Sequence, residues 1–404
     1  MSSRPAPPRS RLRAVTVVAL CLGALIPAVA GAGPAGAAAA PPPDESALQR
    51  RLAAFVASPG GPPGAIAVLR RDKETRIVRA GVADLATGRA PRPDDHMRIA
   101  STAKAFSGAV ALSLVDRHAL RLVDRHALRL DDTLRKRLPR LPRAWGSVTL
   151  RQLLNHTSGL PDYTESPAFL RVLTADPRHR FDSRRLLDYV AGEPLRFRPG
   201  SRYRYSNSDN IAVALMAEAA TGTRYEELLR KLVYRPLDLR RTSLPQGYRM
   251  PAPYLHGYDV SPPAPPEDVS EVLSASGVWA SGGIVSTPSD ATRFVRGYVG
   301  GALYGKPVVR EQRRWIQGAS EPAGPGRNTA GLAVFRYQTR CGTVLGHTGN
   351  FPGYTQLMAA TPDGRRSLTF SVTSQINKTL TPARLERLRA LQEDFVCALL
   401  REGR

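Results

Sequence analysis

The spacing of apolar residues changes character along the chain. Residues 14–30, AVTVVALCLGALIPAVA, are apolar almost without interruption, follow Arg4, Arg9, Arg11 and Arg13, and end in Ala28-Val29-Ala30. A basic lead, an apolar stretch shorter than a membrane span of about 20 residues and a small-x-small ending predict a secretory signal over 1–30, cleaved on export. An uncleaved anchor is the alternative, while Leu20 before Cys21 fits lipid attachment poorly. Residues 31–44, GAGPAGAAAAPPPD, carry no period and read as a flexible linker. Beyond them, GAIAVLRRDKETRIVRAGVADLATG (64–88) has two β-rich runs around a polar turn, which predicts a hairpin. Helical periods dominate from Thr102 to about Ala291, clearest in RYEELLRKLVY and in NIAVALMAEAATG, which closes at Gly222. From Gly331 short strand-like runs return, GLAVFRY, GTVLGHT, GYTQLMAAT and RSLTFSVTS, the last two flanking the turn PDGR. An amphipathic helix with charged flanks, TPARLERLRALQEDFVCALLREGR, ends the chain, and nothing in it offers a stable membrane anchor.

Strands near both ends with helices between them predict an α+β fold. One antiparallel sheet is built from N- and C-terminal segments and flanked by helices, with a mainly helical lobe inserted over roughly 105–290. Residues 45–404 suffice for a large core and one catalytic unit of two lobes. The octapeptide repeated in VDRHALRLVDRHALRL (115–130) does not make a solenoid. Eight residues turn a helix face by about 80°, so the second copy cannot present the same stripe, and a tandem duplication absorbed at a helix end or in the next loop is expected.

Charge alters this picture little. The net +24 falls to +20 once the four signal arginines are removed. That excess suits an anionic polymer such as the cell wall. The basic residues are scattered, however, aromatics are few and no zinc-finger, helix-turn-helix or RNA-binding pattern is present, so a nucleic-acid partner is not expected. Two cysteines remain after the signal, Cys341 and Cys397. In an oxidising compartment a pair invites a disulfide, which would close a loop of roughly 55 residues and stabilise by about 4 kcal/mol. Two free thiols are the alternative. Oligomeric state is not legible.

Candidate chemistry begins with an imbalance, six lysines against 52 arginines. One of the six, Lys104, stands three residues after Ser101 where a β-like segment gives way to a helical pattern, so the two side chains are neighbours one turn apart. Lysine, unlike arginine, can lose its proton and act as a base, and a hydroxyl needs such a base to become a nucleophile. A helix N-terminus would also favour an oxyanion nearby. Ser101 as a simple helix cap is the competing reading. In YRYSNSDN, Tyr205 and Asn207 share one side of an extended chain, where a phenol can relay protons and an amide can hold a carbonyl; Ser208 and Asp209 read as caps of the following helix. In LGHTGN, a strand carrying His347 and Thr348 before Gly349 would let backbone approach a ligand along the sheet edge, although a lone strand histidine is often structural. His347 has a reference pKa of about 6.5, so a change of charge near neutrality is expected there. His96, His118, His126, His156, His179 and His256 show no metal-ligand spacing, and no metal or other cofactor is expected.

Ser-x-x-Lys, Tyr-x-Asn and His-Thr-Gly, in that order, resemble the motifs of the penicillin-recognising serine hydrolases. That superfamily holds D-alanyl-D-alanine carboxypeptidases, class C β-lactamases and related esterases. LRQLLNHTSGLPDY (150–163), FRPGSRYRYSNSDN (197–210) and SGGIVSTPSDATRF (281–294) resemble it too, so the likeness covers nearly the whole mature chain. It is closest to secreted DD-carboxypeptidases, which carry histidine in the third motif and a disulfide placed like Cys341–Cys397. The resemblance implies a secreted enzyme that forms an acyl-enzyme on Ser101, with Lys104 accepting the proton and Tyr205 relaying it. The substrate would be a peptidoglycan stem peptide or a β-lactam. Asn207 would orient the substrate amide, and the Ser101 and Asn350 N–H groups would form the oxyanion hole. His347, Thr348 and Gly349 would line the terminal-carboxylate side. Trp279 would stand at the pocket rim, with a core tryptophan as the alternative. Arg336 would anchor the carboxylate, with Arg340 as its competitor. A β-lactamase, an esterase and a non-catalytic wall-binding protein remain as other readings of these residues.

Overall fold

A computed structural model describes residues 45–119 and 128–401. The expected signal and linker, and residues 120–127 of the duplicated octapeptide, lie outside the described residues. Eight strands form one antiparallel sheet. They are β1 (Gly64–Arg71), β2 (Glu74–Gly81), β3 (Ile316–Gln317), β4 (Arg327–Ala330), β5 (Phe335–Thr339), β6 (Gly342–Phe351), β7 (Tyr354–Ala360) and β8 (Arg366–Val372). Their order across the sheet is β2-β1-β8-β7-β6-β5-β4-β3, so the N-terminal hairpin joins the C-terminal strands where β1 pairs with β8.

Both faces of this sheet are covered, so its central strands are buried at successive positions even where, as in β8, polar Ser367, Thr369 and Ser371 alternate with apolar Leu368, Phe370 and Val372. Ala65, Ala67 and Leu69 of β1 pack on one side with Leu48 and Leu52 of α1 (Glu45–Val56), whereas Ile66 and Val68 join the opposite core. The first face is closed by the C-terminal helix, whose Leu385, Leu388, Phe395 and Leu399 are buried there. Cys341, in the turn between β5 and β6, is bonded to Cys397 of that helix, and Arg340 beside it pairs with Glu393 and Asp394. On the other face lie α2 (Ala103–Ala119), α3 (Asn207–Thr221) and α4 (Pro288–Val299), followed in chain order by the C-terminal helix, α5 (Pro382–Leu400). Thr287 accepts a hydrogen bond from the Asp290 N–H and Pro288 fills the first turn, so α4 starts with a side-chain cap and a residue that needs no donor.

The inserted region is less regular than its periodicity predicts. RYEELLRKLVY is one α-turn run, Tyr225–Leu229, continued by a wider turn over Arg230–Tyr234. From residue 240 to 278 the chain is mostly loop, with a two-strand ribbon of Tyr258–Asp259 on Glu267–Asp268. Gly331 does not open a strand. β4 ends at Ala330 and β5 starts at Phe335, so GLAVFRY spans a turn and a strand start.

Candidate active site

The sequence sets Ser101 on a tight turn. Ala100 takes φ +51°, in the left-handed region that residues with a Cβ avoid, and the 3₁₀ turn Ala100–Thr102 runs straight into α2. Gly349 of β6 permits that turn. A Cβ there would lie 2.6 Å from the Ile99 carbonyl oxygen and 3.1 Å from the Ser101 nitrogen. The glycine therefore serves a close approach of the strand to the nucleophile segment. Three residues before Ser101, buried Arg98 donates to the backbone oxygens of Tyr248, Ser270 and Leu273 and fastens the long loop to the same segment.

Lys104 is fully buried one turn into the helix. Its Nζ lies 3.0 Å from Ser101 Oγ, 2.8 Å from Asn207 Oδ1 and 2.8 Å from the Ser281 carbonyl oxygen. A neutral amine fits this set by donating to Asn207 and Ser281 while its lone pair accepts from the Ser101 hydroxyl, which is the arrangement that activates a serine. Asn207 is held in turn by Asp162. One carboxylate oxygen accepts from the Asn207 N–H at 2.7 Å and from its Nδ2 at 3.1 Å, while the other accepts from Thr164. Asp162 thereby supplies the cap that Ser206 does not give to α3, and negative charge at a helix N-terminus is favourable.

The Tyr205 ring lies 4.9 Å from Lys104 Nζ, with the His156 ring 4.5 Å behind it. Burial pushes its phenol well above the usual range, and the hydroxyl of Ser101 counters only part of that, so Tyr205 meets the site as a protonated phenol. The Tyr205 oxygen is buried and forms no well-aligned hydrogen bond among the described residues. Ser208 and Asp209 do not cap α3. Ser208 donates to the Pro161 oxygen and accepts from the Tyr163 N–H, and Asp209 accepts from Ser158 and contacts His156 Nδ1 at 2.7 Å. Both are turned inward against the loop over 156–163. Burial pushes His156 down to about 3 and pushes Asp209 up, so both favour their neutral forms.

Ser101, Tyr205, Asn207 and Asn350 line one cavity of about 900 Å³, with Phe169, Leu173, Leu273 and Val278 forming an apolar wall. Of the residues expected to bind substrate, His347, Thr348, Gly349, Trp279 and Arg336 do not line it, nor does Arg340. His347 is fully buried between Phe335 and Tyr205, and Thr348 is buried with its hydroxyl donating 2.6 Å to the Pro322 oxygen. The loop over 319–323 covers that stretch of sheet edge. Burial pushes His347 down to about 3, so it carries no charge near neutrality, contrary to the expectation from its reference value. Trp279 packs against Tyr225 in the helical core with Nε1 donating to Glu226, away from any rim. Arg336 lies over Trp315 and donates to Thr329, while Arg340 serves the ion pairs on α5, so neither reaches the cavity. Sequence reasoning in turn overlooked Asp162, Ser281 and Glu321. The first two fall inside quoted family-like stretches, where a buried carboxylate and an exposed carbonyl give no individual signal.

With this geometry in view, comparison with known proteins is direct. Residues 48–394 match the family model described as Beta-lactamase, and the chain belongs to that family of serine hydrolases. It is 28% identical over 254 residues to penicillin-binding protein 4* of Bacillus subtilis, covering 58% of this chain and 52% of that one. It is 32% identical over 187 residues to a D-aminopeptidase of Brucella anthropi, covering 46% of this chain and 33% of that one. The chain thus spans about half or less of the length of these curated relatives. Among solved structures, a D-stereospecific amidohydrolase from a Streptomyces species is 30% identical, with a TM-score of 0.71 over 86% of this chain and 98% of that one.

Proposed function

We propose that the protein is a serine peptidase that hydrolyses amide bonds on the carbonyl side of D-amino-acid residues, with D-alanyl-D-alanine carboxypeptidase activity as its reference reaction. The observation that carries this reading is the placement of Lys104 Nζ among Ser101 Oγ, Asn207 Oδ1 and the Ser281 carbonyl. Preference for the D configuration draws support from the relatives, several of which are named for D-amino-acid substrates. Peptides and β-lactams are the substrates the family binds in general.

In the reaction the Ser101 hydroxyl gives its proton to Lys104 as Oγ bonds to the carbonyl carbon. The C–N bond then breaks, and the leaving amine takes the proton through the Tyr205 hydroxyl. An ester on Ser101 remains. Water, deprotonated along the same route, attacks that ester and releases the acid and the free hydroxyl. Stabilising the intermediate oxyanion is typically the largest electrostatic contribution to such acyl transfer, and the Ser101 and Asn350 N–H groups are the donors assigned to it.

Export belongs to the same proposal. The bonded pair Cys341–Cys397 suits an oxidising compartment, and the N-terminal apolar run supplies the address. The test is release of D-alanine from a Lys-D-Ala-D-Ala peptide beside its L-Ala-L-Ala counterpart, with wild type and Ser101→Ala. Cleavage confined to the D peptide and lost in the variant is expected. Equal cleavage of both peptides would remove the stereochemical part, and turnover by Ser101→Ala would remove the mechanism.

A further inference from the structure

The wall of the cavity opposite α2 presents a charge of unexpected sign. Where the resemblance puts a carboxylate-binding imidazole, the loop over 319–323 lies across the sheet edge and carries Glu321 into the cavity that holds Ser101. The loop is firmly tied. Tyr203 donates to the Ala319 oxygen, Thr348 to the Pro322 oxygen, and Tyr337 to the Ser320 hydroxyl at 3.1 Å. Glu321 is exposed, and its side chain lines the cavity. Among the described residues its carboxylate forms no ion pair and no hydrogen bond.

The basic groups around it are already engaged. Arg204 makes two hydrogen bonds to Glu165, at 3.0 and 2.9 Å, and Lys104 serves Ser101, Asn207 and Ser281. Asp162 and Glu165 add negative charge on the same side. Arg389 of α5 also lines the cavity but donates to the Gly324 and Gly326 oxygens, just beyond the loop, and to Glu386, while Lys378 is exposed. Behind the loop, His347 is buried and neutral. Partial desolvation by the surrounding protein, with the negative charge of Asp162, raises its pKa to about 7, and an ammonium group arriving from a substrate would draw it back to its ionised form.

We propose that Glu321 is a specificity-determining residue that binds the free α-ammonium group of the D-aminoacyl residue, so that the enzyme selects unblocked D-aminoacyl amides and peptides over N-acylated ones. This rests on the acyl-enzyme reading above and narrows its substrate: the reacting D-alanyl residue of Lys-D-Ala-D-Ala is N-acylated, so release of D-alanine from that peptide would be slower than cleavage of a free D-aminoacyl amide. The apolar wall of Phe169, Leu173, Leu273 and Val278 in the same cavity suits a large apolar side chain on that residue.

The experiment compares kcat/KM for D-phenylalanine p-nitroanilide and its N-acetyl derivative, using wild type, Glu321→Gln, Lys378→Ala and Ser101→Ala. Wild type is expected to favour the free amine. Glu321→Gln should cut that preference by about 10-fold to 100-fold, as loss of a confined charge-assisted hydrogen bond would, and Lys378→Ala should leave it in place. A wild-type preference for the N-acetyl substrate, or an unchanged ratio in Glu321→Gln, overturns the proposal. Loss of both activities in Ser101→Ala reports separately on the acyl-enzyme. If wild type turns over neither anilide, recognition is decided by calorimetry on Ser101→Ala, and the acyl-enzyme reading by D-alanine release from Lys-D-Ala-D-Ala. Tighter binding of D-phenylalaninamide than of its N-acetyl form, abolished by adding Glu321→Gln, supports the proposal, and equal affinities contradict it.

Discussion

The two walls of the cavity are built on different principles. On the serine wall every key group is held by another. Lys104 is bracketed by Ser101, Asn207 and the Ser281 carbonyl, Asn207 is held by Asp162, and the Ser101 turn is set by the strand that Gly349 allows to approach. On the loop wall a rigid backbone carries one carboxylate without a partner, in front of an imidazole that burial keeps neutral. The first wall suits chemistry, which requires fixed geometry before the substrate arrives. The second suits selection, because an unpaired charge gains most from the ligand that completes it.

The largest effect short of removing the nucleophile is expected where the strand meets the serine turn. Gly349→Ala places a methyl 2.6 Å from the Ile99 oxygen and must displace the turn that carries Ser101. A shift of about 1 Å at the nucleophile costs on the order of 100-fold in rate. Steady-state kinetics beside a thermal melt checks this. A folded variant with unchanged kcat would show that the strand does not set the serine.

Next comes the support beneath the amide. Asp162→Asn keeps the shape but lets a donor face the Asn207 N–H and Nδ2, which should destabilise by about 1–3 kcal/mol and lower kcat more than it alters KM. A fall in melting temperature with no change in kcat would confine Asp162 to capping α3.

Smaller effects are expected behind the loop wall. His347 is charged only below about pH 3, so wild type and His347→Gln should carry the same charge there from pH 5 to 8. As pH falls through that window no proton is taken up at this position, and the two pH profiles of kcat/KM should superpose after scaling. A limb near pH 6.5 that vanishes in the variant would mean the imidazole titrates in the working enzyme. The smallest change belongs to Arg336→Ala. With the guanidinium over Trp315, D-Ala-D-Ala peptides and simple esters should respond alike, within about 2-fold. A loss specific to the peptide would bring Arg336 back to the substrate.

The same contrast explains what the sequence revealed. Ser101 and Lys104 are three apart on a helix, and Tyr205 and Asn207 flank the extended Ser206 at a helix start, so short-range geometry is enough to bring each pair to a common face. The sheet was legible because strand periods at both ends cannot close a core separately. The fate of His347 depended on a loop 26 residues earlier, whose Pro322 oxygen accepts from Thr348. No local pattern reports such a cover. Trp279 and Arg336 were misplaced for a related reason, since the side of a short element that faces the cavity is fixed by tertiary packing. Glu321 carried no signal because nothing local to a lone glutamate beside a proline shows that it lines the cavity of Ser101.

The central claim is that an acyl group is carried on Ser101 through the agency of Lys104. Peptide mapping by mass spectrometry after brief incubation with benzylpenicillin, on wild type, Ser101→Ala and Lys104→Met, tests it most directly. A penicilloyl adduct on the peptide containing Ser101, absent from Ser101→Ala and formed far more slowly in Lys104→Met, is the predicted result. An adduct on another residue, or one formed equally fast without Lys104, would contradict it.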